Sequence, residues 1–268
     1  SGDGNFTGSS DTEGHTVGKA NSQTTVQPVV NPSVYGESVE LTASLTAVAP
    51  GAGVPQGTVS FLDGASPIAG CQNMTLNALG SVTCTAAGLP AGARAITANY
   101  SGNANFNASS GSTTQNINKK VLNVTASSHT VTYGDAAPAV TSTITGFIAG
   151  EGTGNLTTQP ACSTTYTQGS GVAGSPYPTS CSGAAAANYQ FNYIGGTVLV
   201  NKKALSLTAE DKSRGYGAAN PALTFGAAGF IAGDNLGNST TGSPGLSTTA
   251  TATSPVGTYP ITITQGTL

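Results

Sequence analysis

Charge is scarce in this chain. Lys and Arg number 8 and Asp and Glu 11 among 268 residues, 7% in all, against roughly 25% in ordinary soluble proteins. Solubility therefore rests on Ser, Thr, Asn and Gln, which together with abundant Gly are poor helix formers. The formal net charge of −3 argues against nucleic acid or an anionic membrane as partner. No apolar run approaches the roughly 18 residues needed to cross a bilayer, and no basic, apolar, small-residue leader opens the chain. Direct membrane insertion of this segment is not expected. No dozen-residue window carries apolar groups at i, i+3, i+4 and i+7 free of Gly and Pro. Any helix should then be a single turn, with 184–187 the nearest candidate.

Residues that make catalytic sites are equally few. His15 and His129 are the only imidazoles, and no Gly-x-Ser-x-Gly elbow is accompanied by a believable base. No enzyme is expected. Calcium needs six to eight oxygens, and the acids that could supply them are Asp3, Asp63, Asp135, Glu151, Glu210, Asp211 and Asp234. They are scattered, with no Asp-x-Asp-x-Asp run. No cofactor is expected, and calcium is kept only as a candidate ion. Asp63-Gly64 reads more simply as a hairpin turn. Six Asn-x-Ser/Thr sequons, at Asn5, Asn73, Asn107, Asn123, Asn155 and Asn238, are what chance supplies in a chain this rich in Asn and Thr.

What the chain does contain is repetition. Ile117-Asn118-Lys119-Lys120-Val121-Leu122 recurs 83 residues later as Val200-Asn201-Lys202-Lys203-Ala204-Leu205. Tyr133-Gly134 answers Tyr216-Gly217 and Gly146-Phe147-Ile148-Ala149-Gly150 answers Gly229-Phe230-Ile231-Ala232-Gly233 at the same spacing. Self-similarity at a fixed period means tandem modules. Residues 1–20 align without a gap to 101–120, so they are expected to be the closing strand of a preceding repeat. Leu268 aligns near Ala186, so 204–268 is expected to lack its last strands. The chain reads as a window from a longer array, with boundaries at 1–20, 21–120, 121–203 and 204–268.

Within 21–120, Val39, Leu41, Ala43, Leu45 and Ala47 alternate with Glu40, Thr42, Ser44 and Thr46, the period of a half-buried strand. Further strands are predicted at 58–62, 73–76, 81–85, 93–100 and 113–119, separated by turn residues such as Gly80 and Leu89-Pro90-Ala91-Gly92. About seven short strands at this spacing argue for a Greek-key sandwich. The fold class predicted is all-β, a tandem array of an Ig-like sandwich and two smaller homologous β-rich modules. Only three residues lie between Val200 and Ala204, too few for an independent flexible linker.

Asn31-Pro32-Ser33, Tyr35-Gly36, Gly57-Thr58-Val59-Ser60-Phe61 and Ala98-Asn99-Tyr100-Ser101-Gly102-Asn103 in this order resemble the bacterial Ig-like repeats of large surface proteins. The two later modules resemble the MBG-type repeats of the same proteins, through Tyr-Gly, Gly-Phe, Ser-Thr-Thr and Tyr-Pro. The resemblance implies an extracellular stalk, fibre or adhesin segment, with no chemistry carried over. The partners it implies are neighbouring modules of one long chain, or identical subunits in a fibre joined by strand exchange.

Four cysteines allow three pairings. Cys162 stands where the next repeat has Leu246, and Cys181 where it has Ile263. Both replace core-facing residues on neighbouring strands, which pairs them with each other. Cys71 and Cys84 flank a turn at 77–80 and would lie opposite one another in a hairpin. That register sends Met74 and Leu76 to the other face, so a bulge is expected. Two disulfides place the chain in an oxidising compartment, and the absence of any Cys-x-x-Cys argues against zinc. Tyr35, Tyr133 and Tyr216 precede Gly in equivalent places, as corner packing requires. Tyr166, Tyr189 and Tyr193 are less constrained and are the candidate ligand-facing aromatics of a sugar-stacking platform, the alternative reading being an adhesin module that binds glycan or host protein.

Overall fold

A computed structural model describes residues 4–267, so Ser1, Gly2, the calcium candidate Asp3 and Leu268 lie outside the described residues. The chain divides into two compact units. One holds residues 4–123, 144–160 and 183–192, and the other 124–143, 161–182 and 193–267.

The first unit contains a two-sheet sandwich. Strands β1 (Ser22–Pro28), β2 (Ser33–Val34), β3 (Val39–Ala47), β4 (Thr58–Asp63), β5 (Ser66–Pro67), β6 (Met74–Thr75), β7 (Ser81–Ala86), β8 (Gly92–Tyr100) and β9 (Ser109–Asn118) build it. One sheet has the order β1-β3-β7; the other has β2-β9-β8-β4-β5, with β6 also on β4. Alternation along β3 places Val39, Leu41, Ala43 and Leu45 inside and Glu40 and Ser44 outside. Val59, Phe61, Ile96 and Ala98 from the opposing sheet are fully buried and complete the core. Burying a Leu or Phe this fully stabilises the fold by about 1.5–3 kcal/mol each. The Asp63-Gly64 turn closes the β4–β5 hairpin, with Asp63 opposite Ser66 and Gly64 at φ +58°.

The bulged hairpin expected around 77–80 is not the arrangement found. The turn exists, capped by the Asn77 side chain, which accepts from the N–H groups of Leu79 and Ser81. Its flanks belong to different sheets, β6 pairing with β4 and β7 with β3. Crossing between sheets directs Cys71, Leu76 and Cys84 all inward, and all are buried. No bulge is needed.

Two further expectations are corrected. Residues 4–19 carry no strand; Ala20 makes a single bridge to Phe106, and Val17 is exposed. Among the described residues no strand lies alongside this segment to complete a ladder with it. The helical turn expected at 184–187 is absent: Ala185 instead bridges Thr158, and its carbonyl accepts from the N–H groups of Thr157 and Thr158.

Strands β10 (Lys120–Ala126), β12 (Ser142–Thr145) and β15 (Tyr189–Ile194) each run from one unit into the other. In the second unit, β11 (His129–Thr132), β13 (Ala161–Thr164), β14 (Tyr177–Ser182) and β16 (Gly196–Asn201) form a sheet of order β11-β16-β14-β13. Here β11 runs parallel to β16, as β2 runs parallel to β9 in the sandwich. Val198, Val200 and Tyr166 are its buried core.

Beyond it, β17 (Ser206–Ala209) pairs only with β18 (Phe225–Ala228), and β19 (Gly245–Thr248) only with β20 (Ile261–Thr264). The one α-helical turn among the described residues, α1 (Leu236–Ser239), is nucleated by Asn235, whose side chain accepts from the N–H groups of Gly237 and Asn238. No residue between 204 and 267 is buried.

Candidate functional site

The cysteines form two bonds, Cys71–Cys84 and Cys162–Cys181. Cys162 lies directly opposite Cys181 across β13 and β14, and Leu246 lies opposite Ile263 in the same way across β19 and β20. The disulfide thus occupies the cross-strand position that an aliphatic pair fills in the other repeat. Cys71–Cys84 ties the two sheets of the sandwich, since the Cys71 carbonyl accepts from the Phe61 N–H and Cys84 lies opposite Leu41.

The proposed aromatic platform does not exist as a surface. Tyr166 is 1% and Tyr189 2% exposed, and only Tyr193, at 39%, faces outward. Tyr166 is drawn inside because its hydroxyl finds the Asp135 carbonyl at 2.7 Å and its ring meets Tyr177 edge-on. A phenol with its hydroxyl satisfied buries its ring at a net gain.

Three of the candidate calcium acids are engaged by neighbouring groups. Asp63 is paired bidentately with Arg94, Asp135 accepts from the Thr132 N–H, and Glu210 meets Lys212 and Thr224. Hydrogen bonds from Thr224 and then Lys212 lower the Glu210 pKa. Among the described residues no group of three or more His, Cys, Asp and Glu could hold a metal ion. His129 is bonded to the Ser127 hydroxyl at 2.8 Å, but that oxygen also accepts the Thr141 N–H and so is held in the backbone scaffold.

A convergent polar arrangement among the described residues was not legible as such in the sequence. It is built on the Tyr-Gly corners. Tyr35-Gly36 follows β2, with Gly36 at φ +92°, and Glu37 closes the turn by donating its N–H to Val34 and accepting the Val34 N–H on its carboxylate. Tyr133-Gly134 repeats this after β11, with Gly134 at φ +93° and Asp135 in the role of Glu37. Only Gly takes such φ values without strain.

Into each corner fits a loop from the module that follows in sequence. A methyl group placed on Gly36 would stand 2.5 Å from Ile148 Cγ2, and one on Gly134 would stand 2.4 Å from Ile231 Cγ2. Three residues after each isoleucine comes an acid. Glu151 accepts the Tyr35 hydroxyl at 2.6 Å and also the Tyr189 hydroxyl. The Asp234 carboxylate acts on the Tyr133 hydroxyl and raises its pKa. Burial and then the Glu151 hydrogen bond push the Tyr189 pKa up to about 12, while the Glu151 bond and then burial raise that of Tyr35.

Tyr189 stacks edge-on against Tyr35 at 5.5 Å and Phe147 at 5.3 Å. Lys119 donates to the Ala186 carbonyl, Lys120 N–H to the Asn188 carbonyl, and Ala91 N–H to the Asn188 side chain. The Lys-Lys junction at 119–120 is therefore fastened on several sides. Charge-assisted hydrogen bonds in such a setting are about twice as strong as neutral ones.

The sheets, the parallel closing strand beside each Tyr-Gly corner and the repeated junction define an all-β protein of tandem extracellular-type modules. More narrowly, the chain belongs to the family of MBG domains (YGX type), which it matches over 122–199 and 205–268, more than half its length, after a bacterial Ig-like domain (group 3) at 22–118. Each MBG repeat carries one Tyr-Gly-x corner.

Similar solved structures include fibronectin(III)-like modules of Clostridium thermocellum CbhA, with 15% identity and a TM-score of 0.24 over 67% of this chain and 94% of that one. The mouse nectin-like molecule 4 ectodomain has 12% identity and a TM-score of 0.26 over 67% and 64%. Three N-terminal domains of the bacteriophage RB49 outer capsid protein Hoc have 14% and 0.27 over 85% and 73%. No curated protein matches the chain. Modules of these families are structural or adhesive rather than enzymatic, and with the two disulfides they indicate an extracellular or surface protein. Among the described residues no helix is long and apolar enough to cross a membrane.

Proposed function

We propose that this chain is a structural segment of an extracellular stalk or fibre, whose modules are coupled directly rather than strung on flexible linkers. The observation that carries this reading is the Glu151 carboxylate shared by Tyr35 and Tyr189 at a junction only two lysines long. A passive spacer must hold its modules in a fixed relation, and a buried aromatic and acid cluster does so where a Gly/Ser linker does not. The rival adhesin reading has lost two of its three aromatic candidates to the core. Immuno-electron microscopy of intact cells with antibodies against 21–203 tests the proposal. Label on projections or fibres outside the cell supports it; label confined to the cytoplasm overturns it.

A second reading, a filament of identical subunits joined by strand exchange, is favoured by one observation. Residues 204–267 bury nothing and hold two two-stranded sheets, while 4–19 form no strand of their own. Open sheet edges recruit strands. A native subunit of 26.2 kDa whose filaments vanish on deletion of residues 1–20 would establish this reading, and a much heavier native polypeptide would rule it out.

A further inference from the structure

The Tyr-Gly corner occurs three times, and the third copy is different. Gly217 has the same left-handed backbone as its counterparts, at φ +80°, and Ala218 N–H closes the same turn onto the Gly215 carbonyl. Yet a methyl group on Gly217 would meet nothing within 4 Å, and Tyr216 is 72% exposed where Tyr35 is 7%. Beside it lies a cavity of about 560 Å³ lined by Tyr216, Asn220, Leu223, Pro255 and Tyr259 among others. A glycine held at positive φ costs conformational entropy, and although the Gly217 N–H donates to the Ala252 carbonyl, its Cβ side is left open.

We propose that Tyr216-Gly217 is an open docking socket for the loop of a further MBG-type module, of the form Gly-Phe-Ile-x-Gly-x-acid. The occupant is specified by the two filled sockets. Its isoleucine seats against Gly217, as Ile148 seats on Gly36 and Ile231 on Gly134, and its carboxylate accepts the Tyr216 hydroxyl, as Glu151 accepts that of Tyr35. A second copy of this chain is not the occupant, because both of its own loops already fill its own corners.

One element of a filled socket has no counterpart beside Tyr216. Tyr133 N–H donates to Asn201 at the end of the parallel strand β16, and Tyr35 N–H donates likewise to Asn118 at the end of β9. In each filled socket that strand belongs to the corner's own module, so the Tyr216 socket takes the loop once a closing strand lies beside it. This rests on the stalk reading and deepens it: the coupling is a repeated lock and key, each module carrying a corner for its successor and a loop for its predecessor.

The test extends the full chain in register. One variant appends residues 187–203 after Leu268 and supplies only the closing strands; a second appends 187–268 and adds a further loop. Nitration of Tyr216 by tetranitromethane is followed by peptide mass spectrometry, with Tyr193 as internal reference. A rate about tenfold slower in the longer variant, restored by Ile231→Asp within the appended copy, is the expected result. Equal rates in the two variants overturn the proposal.

A second measurement holds whether or not the added module folds. In the unextended chain, Gly134→Cys with Ile231→Cys should form a disulfide and Gly134→Cys with Ile148→Cys should not, and failure of the first pair also overturns the lock. Small-angle scattering separates this from failure of the stalk reading. Particle length that grows with the added module while Tyr216 stays reactive removes the socket and leaves the stalk.

Discussion

Replacing Gly36 with Ala probes the coupling with a single methyl group. Two costs arise. At φ +92° an L residue is strained by about 1–3 kcal/mol. The new Cβ would also stand 2.5 Å from Ile148 Cγ2, and Ile148 is β-branched and cannot swing clear. Overpacking of this kind costs about 1–3 kcal/mol, so the total expected is about 2–6 kcal/mol. Ile148→Ala removes the clashing methyl and leaves the backbone strain.

A double-mutant cycle should therefore show Gly36→Ala and Ile148→Ala coupled by about 1–2 kcal/mol, the double variant being more stable than the sum of the singles implies. Urea unfolding followed by far-ultraviolet circular dichroism and tyrosine fluorescence measures it, the chain having no tryptophan. Gly217→Ala serves as the control, with backbone strain only, since nothing lies within 4 Å of its methyl. Additivity of Gly36→Ala and Ile148→Ala within about 0.5 kcal/mol would refute the contact.

Glu151→Gln should destabilise the first junction by about 1–3 kcal/mol, because an amide replaces a carboxylate that accepts two phenols. Titration offers a separate check. The Tyr189 pKa is raised from 10.0 to about 12, so its stabilising contribution is whole below pH 10 and lost as the pH rises through about 12. Ultraviolet difference spectra should show Tyr189 ionising last, and Glu151→Gln should advance it. Cys162→Leu with Cys181→Ile should fold with the arrangement of Leu246 and Ile263, losing at most about 3 kcal/mol of loop-closure stabilisation in thermal unfolding. Tyr166→Phe should cost about 1 kcal/mol, since it strands the Asp135 carbonyl that accepts at 2.7 Å.

Much of the architecture is written locally. The alternation of Val39 to Ala47 decides which face of β3 is buried, because side chains on a strand alternate strictly. The repeat of Leu246 and Ile263 as Cys162 and Cys181 identifies that disulfide, because two copies of one fold must fill one core position in two ways. Tertiary structure decided the rest. That Cys71 and Cys84 join two sheets depends on which strands β6 and β7 choose as partners, and neither segment encodes its partner.

The burial of Tyr166 and Tyr189 depends on acceptors supplied by Asp135 and Glu151, far away in sequence. The fit of Ile148 against Gly36 is a contact between modules, and each residue taken alone reads as an ordinary turn glycine or loop aliphatic. Sequence by itself determined that this is a tandem all-β chain with two disulfides. Only the packing of one module on the next revealed why the Tyr-Gly corner repeats, since the corner's function is completed by a loop that its own segment does not contain.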